Sequence, residues 1–147
     1  MYDEILVATD GGPASTDAIA HATELTAHHD ARLHALHVVD SEVYEAYSGD
    51  EFVDGHEGPE HALEERGHDA VAAVAEAGAE QGVEVVGAVE HGVPEERIRA
   101  YAADNDVDLV VVGTRRRPDE YRSLLGSTTE RVARLADRPV LVVKTAV

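Results

Sequence analysis

The chain contains no cysteine, no tryptophan and only one lysine, Lys144, among its 147 residues. The absence of cysteine excludes disulfides, thiol catalysis and cysteine-ligated metal centres. The amino-terminal residues lack the basic region and apolar run of a secretion signal, and no apolar run approaches the ~20 residues of a membrane span. These absences predict a cytoplasmic protein that has no membrane partner.

Acidic residues outnumber basic ones by 30 to 12, which gives a formal net charge of −18. Such a field repels nucleic acid and anionic membranes, and in dilute buffer it opposes compaction. In molar salt the screening length falls to about 3 Å, so most of this repulsion disappears. The acid excess and lysine depletion favour a halophilic, haloarchaeal-type protein over an ordinary acidic one. No nucleic acid is expected among its partners.

The length predicts one domain over residues 1–147. Apolar runs predict strands at 4–9, 32–39, 83–89, 109–112 and 140–143. Helical periodicity predicts four helices. The first covers 13–29, the second lies between the second and third strands, the third starts at Pro94, and the fourth covers 127–136. The second helix is indicated by an apolar stripe comprising Leu63, Gly67, Ala70, Val71, Val74, Ala75 and Gly78. This alternation predicts an α/β fold in which a five-stranded parallel sheet carries four helices on both faces. Residues 41–60, with seven acidic and no basic side chains, predict a long acidic loop.

The segment 107–127 carries the strongest functional signal. A buried strand is expected to end at Gly113, and a new helix is expected to start at Gly126-Ser127, where Ser127 and Glu130 fit a capping box. A glycine turn and a helix amino terminus at the carboxyl end of a parallel strand favour anions. Strand one ends in a second glycine loop, Asp10–Pro13. If strands one and four are neighbours, the two loops form one pocket at the point where strand order reverses.

Several segments together resemble the universal stress protein family: Ile5–Gly11, His37–Asp40, Gly92–Pro94, Asp108–Gly113, Gly126-Ser127 and Arg138–Val143. The likeness extends from Met1 to Lys144 and leaves out only the acidic loop. It implies a Rossmann-like sheet of the adenine nucleotide alpha hydrolase type, with strand order 3-2-1-4-5. It also implies homodimers that pair through strand five, here Val140, Leu141, Val142 and Val143. An open apolar edge strand gives this pairing a physical basis.

The nucleotide-binding branch of that family has a signature of three glycines followed by a hydroxyl residue. The resemblance places Gly113, Gly126 and Ser127 in it, with Arg116 where the second glycine would stand. It implies that ATP or a related adenine nucleotide contacts Ala8, Thr9, Asp10, Val38, Val112, Gly113, Arg116, Gly126, Ser127, Thr128 and Thr129. Asp10 would also be the ligand of a nucleotide-bound Mg²⁺. Arg116 either blocks the approach of backbone to phosphate or supplies its guanidinium to it.

Each of these residues also has a purely structural interpretation. Ser127 could only cap its helix, Asp10 could only hold its turn, and Val38 could belong to the core. Arg115, Arg116, Arg117 and Arg122 form either an anion site or ion pairs with the acidic surface. The nine histidines are interpreted as solvated, because none forms the i, i+4 pair of a helical zinc site.

Three functions therefore stand against one another. The first is a homodimeric regulatory module that binds ATP and turns it over slowly at most. The second keeps the fold but acts through unidentified protein partners, because Arg116 has closed the nucleotide site. The third, an adenylating or ATP-hydrolysing enzyme, is least favoured, because the Walker lysine, the nucleophile elbow and paired metal-binding histidines are missing.

Overall fold

The computed structural model describes residues 1–40, 59–116 and 127–146. Five parallel strands form one sheet: β1 (Glu4–Ala8), β2 (Arg32–Asp40), β3 (Val85–Gly92), β4 (Leu109–Arg116) and β5 (Val140–Ala146). A 3₁₀ turn (Pro13–Ser15) leads into α1 (Thr16–His29), and α2 (Pro59–Glu80), α3 (Pro94–Asp104) and α4 (Ser127–Leu135) follow. The strand order is β3-β2-β1-β4-β5. The predicted fold class and strand order are confirmed.

The sheet is buried on both faces, as its nearly continuous apolar strands indicate. Helices α1 and α2 cover the face that carries Ile5 and Val7, whereas α3 and α4 cover the face that carries Leu6 and Val110. Successive strand side chains point to opposite faces, so β1 supplies both cores. All four of these side chains are at most 1 % exposed, and burying each one contributes about 1.5–3 kcal/mol.

Helix α2 packs unusually close to the sheet. A Cβ atom built on Gly67 would lie 2.8 Å from Cδ2 of His37, and one on Gly78 would lie 2.6 Å from a Val85 methyl group. The stripe predicted for α2 is buried at Gly67, Ala70, Val74 and Gly78 and half-buried at Leu63 and Val71. Ala75 was placed in that stripe wrongly, because it is exposed. One step of about 100° beyond Val74 turns it toward solvent.

Three strands run further than their apolar cores predict, and one of them, β5, continues past its predicted end at Val143 to Ala146. Strand β4 does not break at Gly113 but continues to Arg116, pairing from Gly113↔Val143 to Arg116↔Ala146. Strand β3 starts at Val85 rather than Val83 and includes the predicted connection up to Gly92. The predicted strands stop where the apolar run stops. The observed strands continue because their backbones still pair with a neighbouring strand. No helix in the described parts of the chain has the length and apolar character to cross a membrane.

Two of the histidines interpreted as solvated are buried instead: His34 is 3 % and His37 is 8 % exposed. The His34 ring lies between the Tyr101 hydroxyl at 2.8 Å and a Glu4 carboxylate oxygen at 2.7 Å. Arg32 also donates to Glu4 at 3.0 Å. Burial opposes ionisation of Glu4 more than any other single influence, but hydrogen bonds from Arg32 and His34 together lower its pKa below the ordinary value. The interpretation of His34 as solvated was wrong because its hydrogen-bond partners, Glu4 and Tyr101, lie far from it in the sequence.

Candidate functional site

The loop after β1 is held by the Asp10 side chain. Its Oδ1 atom accepts hydrogen bonds from the Gly12 amide at 2.8 Å and from the Ser15 hydroxyl at 3.0 Å. Gly11 has φ +79°, a backbone conformation that favours glycine. Pro13, two residues later, begins the 3₁₀ turn. Asp10 therefore does hold its turn, as the structural interpretation proposed, and this turn fixes the carboxylate at the end of the strand.

The loop after β1 meets β4 at Gly113. A Cβ atom on Gly113 would lie 2.3 Å from the Ala14 carbonyl oxygen, so only glycine permits this backbone contact. The Thr145 hydroxyl donates to the same Ala14 oxygen at 3.3 Å, and the Thr129 hydroxyl donates to the Gly113 oxygen at 2.9 Å. The ends of β1 and β4 and the first turn of α4 are thereby joined at one point.

A cavity of about 280 Å³ opens where these elements meet, and we call it the α3-side cavity. Eight of the predicted site residues line it: Ala8, Thr9, Asp10, Val38, Val112, Gly113, Thr128 and Thr129. Prediction from sequence missed its other walls, which are Ala14, Ser15, Leu36, Asp40, Pro94 and Ile98. Gly92-Val-Pro94 in the family resemblance could have indicated the contribution of α3.

Three predicted site residues are not brought to this cavity by the described structure. Ser127 is the exposed first residue of α4 and is not among the residues that line the cavity. Gly126 and the side chain of Arg116 lie outside the described residues, as do Arg117, Arg122 and residues 41–58 of the predicted acidic loop. The capping box of Ser127 and Glu130 stays a prediction, because the residues directly before α4 lie outside the described residues.

A second, larger cavity of about 420 Å³ lies on the opposite face of the sheet, next to α2, and we call it the α2-side cavity. It shares Asp10, Ala14, Val38 and Asp40 with the first cavity and adds Gly12, Pro13, His37, Val39, Leu63 and Arg66. The predicted site residues do not include its walls at His37, Leu63 and Arg66. The signal that could have found it is the pair of polar residues at the end of β2, His37 and Asp40, followed by the small Gly67 on the helix that packs there.

The two cavities offer different chemistry. In the α3-side cavity, Val38, Ile98 and Val112 form apolar walls, and the polar residues Thr9, Thr128 and Thr129 also line it. Such a mixture suits a flat apolar group attached to a polar one. Among the described residues, no group of three or more His, Cys, Asp or Glu side chains is arranged to hold a metal ion. The role of Asp10 as a Mg²⁺ ligand would thus depend on oxygens that a bound nucleotide supplies.

The parallel sheet, its strand order and the cavities at the carboxyl ends of its strands define a Rossmann-like α/β protein. The chain belongs to the universal stress protein family, whose family model matches residues 1–144. Universal stress protein MJ0531 of Methanocaldococcus jannaschii is 34 % identical over 144 residues, which cover 98 % of this chain and 83 % of that protein.

Solved structures share the fold. The structure of MJ0577, from the same organism, has a TM-score of 0.77 and 27 % identity, and the match covers 99 % of this chain and 97 % of that one. A universal stress protein in complex with cAMP has a TM-score of 0.68 at 22 % identity, with coverage of 99 % and 98 %. One from Archaeoglobus fulgidus in complex with dAMP also has a TM-score of 0.68, at 17 % identity, with coverage of 96 % and 97 %.

Proposed function

We propose that this protein is a regulatory module that binds ATP or a related adenine nucleotide in the α3-side cavity. The observation that carries the proposal is the convergence of eight predicted site residues, from β1, β2, β4 and α4, on that one cavity. Two proteins of the same fold bind the adenine nucleotides cAMP and dAMP, which supports this ligand class. The adenine is expected between Val38 and Ile98, and the ribose is expected near Asp10. No turnover beyond slow hydrolysis is expected.

The alternative is a protein that has lost the nucleotide and acts through protein partners. The continuation of β4 favours it: the backbone at Arg116 is extended and pairs with Ala146, although the family signature has a glycine at that position. A strand position of this kind does not use the freedom of a glycine to turn toward phosphates.

Titration with ATP and Mg²⁺ in molar potassium chloride separates the alternatives. Stoichiometric binding, measured by calorimetry, with product formation no faster than slow hydrolysis, is expected. No binding at millimolar ATP would leave the protein-partner function, and rapid release of ADP or AMP would establish an enzyme. Omitting Mg²⁺ tests Asp10: affinity should fall in the wild type, and the dependence on Mg²⁺ should weaken in Asp10→Asn, which keeps an acceptor oxygen for the turn.

Arg116→Gly tests the position that departs from the family signature. A rise in ATP affinity would show that the arginine obstructs the phosphates, whereas a fall would show that it binds them. Arg99→Gly is the matched control, because Arg99 lies exposed on α3 and does not line the cavity.

The proposed homodimer pairs through β5, which is the last strand in the order and, among the described strands, has a neighbour on one side only. The Val110 amide donates to the Pro139 carbonyl at 3.0 Å. In a parallel ladder this places the Leu141 and Val143 amides toward β4 and the Val142 amide toward the open edge. The free edge can therefore pair with a second copy of the chain without loss of its bonds to β4.

A further inference from the structure

The α2-side cavity contains a buried side chain with unused hydrogen-bonding capacity. His37 is 8 % exposed, and its Nδ1 atom lies 2.9 Å from the Thr9 carbonyl oxygen. A carbonyl only accepts, so Nδ1 carries the proton, and Nε2 of the neutral ring is an acceptor. Within residues 1–40, 59–116 and 127–146, Nε2 has no hydrogen-bond partner. Burial without a partner is costly for a polar atom, so an unused buried acceptor points to a ligand.

Two contacts fix the orientation of the His37 ring at the wall of the cavity. One side of the imidazole faces Thr9 through Nδ1, and the other side packs by Cδ2 against Gly67. The edge that remains is the one between Cε1 and Nε2, and His37 lines the α2-side cavity. Gly67 makes this arrangement possible, because any larger residue there would press on the ring.

The same cavity is lined by Arg66, which has no ion pair within the part of the chain that the structure describes. In this strongly acidic protein, Arg32, Arg97, Arg131, Arg134 and Arg138 each pair with a carboxylate at 2.9 to 3.8 Å. Arg66 and Arg99 form no such pair with any residue that the structure describes, and of these two only Arg66 lines one of the two cavities. Its guanidinium is available to bind a carboxylate through two parallel hydrogen bonds.

We propose that the α2-side cavity binds a zwitterionic ligand of the amino-acid class. Its carboxylate pairs with Arg66, its ammonium donates to Nε2 of His37 and to the Asp10 carboxylate, and its side chain packs against Leu63 and Val39. An anion alone would meet the negative charge of Asp10, and an amine alone would leave Arg66 unpaired. At about 420 Å³ the cavity lies within the ~300–1,000 Å³ range of small-molecule sites.

Calorimetric titration of the full chain with leucine in molar potassium chloride tests the proposal. Two analogues isolate the charged groups: 4-methylpentanoate lacks the ammonium, and 3-methylbutylamine lacks the carboxylate. Leucine is expected to bind at least ~10-fold more tightly than either, since a hydrogen bond to a charged group contributes about 1.5–3 kcal/mol. Backbone amide shifts on adding leucine should change at Gly12 and Leu63 rather than at Ile98, which lines the other cavity.

Variants assign the two ends of the ligand. Arg66→Gln should weaken leucine binding ~10-fold or more, and the control Arg99→Gln should leave it unchanged. His37→Asn keeps an N–H group for the Thr9 carbonyl but removes the Nε2 acceptor, so binding should weaken ~2–10-fold. Circular dichroism verifies folding, and if His37→Asn does not fold, the exposed Arg66 still provides the test.

Three results would overturn the inference. They are the absence of leucine binding at millimolar concentration, equal binding of 4-methylpentanoate, which indicates a plain anion site at Arg66, and equal effects of Arg66→Gln and Arg99→Gln. ATP binding in the α3-side cavity is measured separately, so failure of either proposal leaves the other intact.

Discussion

Replacing Gly113 by alanine tests the contact that joins the loop after β1 to β4. The added Cβ would lie 2.3 Å from the Ala14 carbonyl oxygen and 3.2 Å from Cβ of Ala18. Because the nearer atom belongs to the main chain, no side-chain rotation relieves the clash. Overpacking of this kind costs ~1–3 kcal/mol, and displacing Ala14 endangers its hydrogen bond from Thr145, for ~1 kcal/mol more. The expected loss is therefore about 2–4 kcal/mol of a total stability of ~5–15 kcal/mol.

Gly82→Ala is the matched control, because it places the same alanine at a glycine with no close neighbours. Gly82 has φ +70° and open space around its Cα, so alanine there meets backbone strain without a clash, and this costs ~1–2 kcal/mol. Gly82→Asn should cost less, since asparagine tolerates the left-handed region. Urea unfolding in molar potassium chloride, followed by circular dichroism, measures all three variants. The reasoning is refuted if Gly113→Ala unfolds within ~0.5 kcal/mol of the wild type, or if Gly82→Ala is the more damaging change.

Three further predictions concern charge and association. Glu4 has a lowered pKa in the folded protein, so the stability it contributes is present above the ordinary carboxyl pKa and is lost as pH falls through the folded value. Glu4→Gln should therefore flatten the acid limb of stability against pH, and an unchanged slope in urea unfolding would contradict the pairing with Arg32 and His34. Val142→Pro removes an amide from the open edge of β5 and should give a folded monomer in light scattering, whereas a persistent dimer would exclude association through that edge. The thermal midpoint should rise as potassium chloride is raised toward molar concentration, because screening removes the repulsion behind a net charge of −18; a midpoint insensitive to salt would argue against halophilic adaptation.

The sheet could be predicted from sequence because its signals are local. Runs such as Leu109–Val112 are apolar and β-branched, and each is separated from the next strand by a stretch of helical periodicity. The predicted strand ends were wrong because the backbone ladder that extends a strand is not local. Thr114 and its successors extend β4 because they pair with Lys144 and the residues after it, which lie 30 positions away in the chain.

The candidate site was predictable only as far as strand ends and glycines indicate it. Gly113 was predicted to end its strand, which was wrong, because β4 continues and the glycine permits backbone packing against Ala14. Its contact with a nucleotide stays a prediction. The burial of His37 could not be predicted, since its partner is the main-chain oxygen of Thr9, which directly follows the neighbouring strand β1. The larger cavity was missed because the family resemblance pointed to the ends of β1 and β4 and the start of α4, whereas this cavity is completed by Leu63 and Arg66 of α2.

Strand alternation explains how one end of β2 supplies two cavities. Neighbouring residues point to opposite faces, so His37 and Val39 line the α2-side cavity alone. Val38 and Asp40, near the end of the strand, line both cavities. The Asp10 turn forms the other part of the common wall, and its hydrogen bonds to Gly12 and Ser15 set its shape. A ligand that moves this turn in one cavity therefore changes the other, and the coupling must be reciprocal. If both proposals hold, leucine should change the affinity for ATP by the same factor as ATP changes the affinity for leucine, and Gly113→Ala, which displaces the shared Ala14, should alter both.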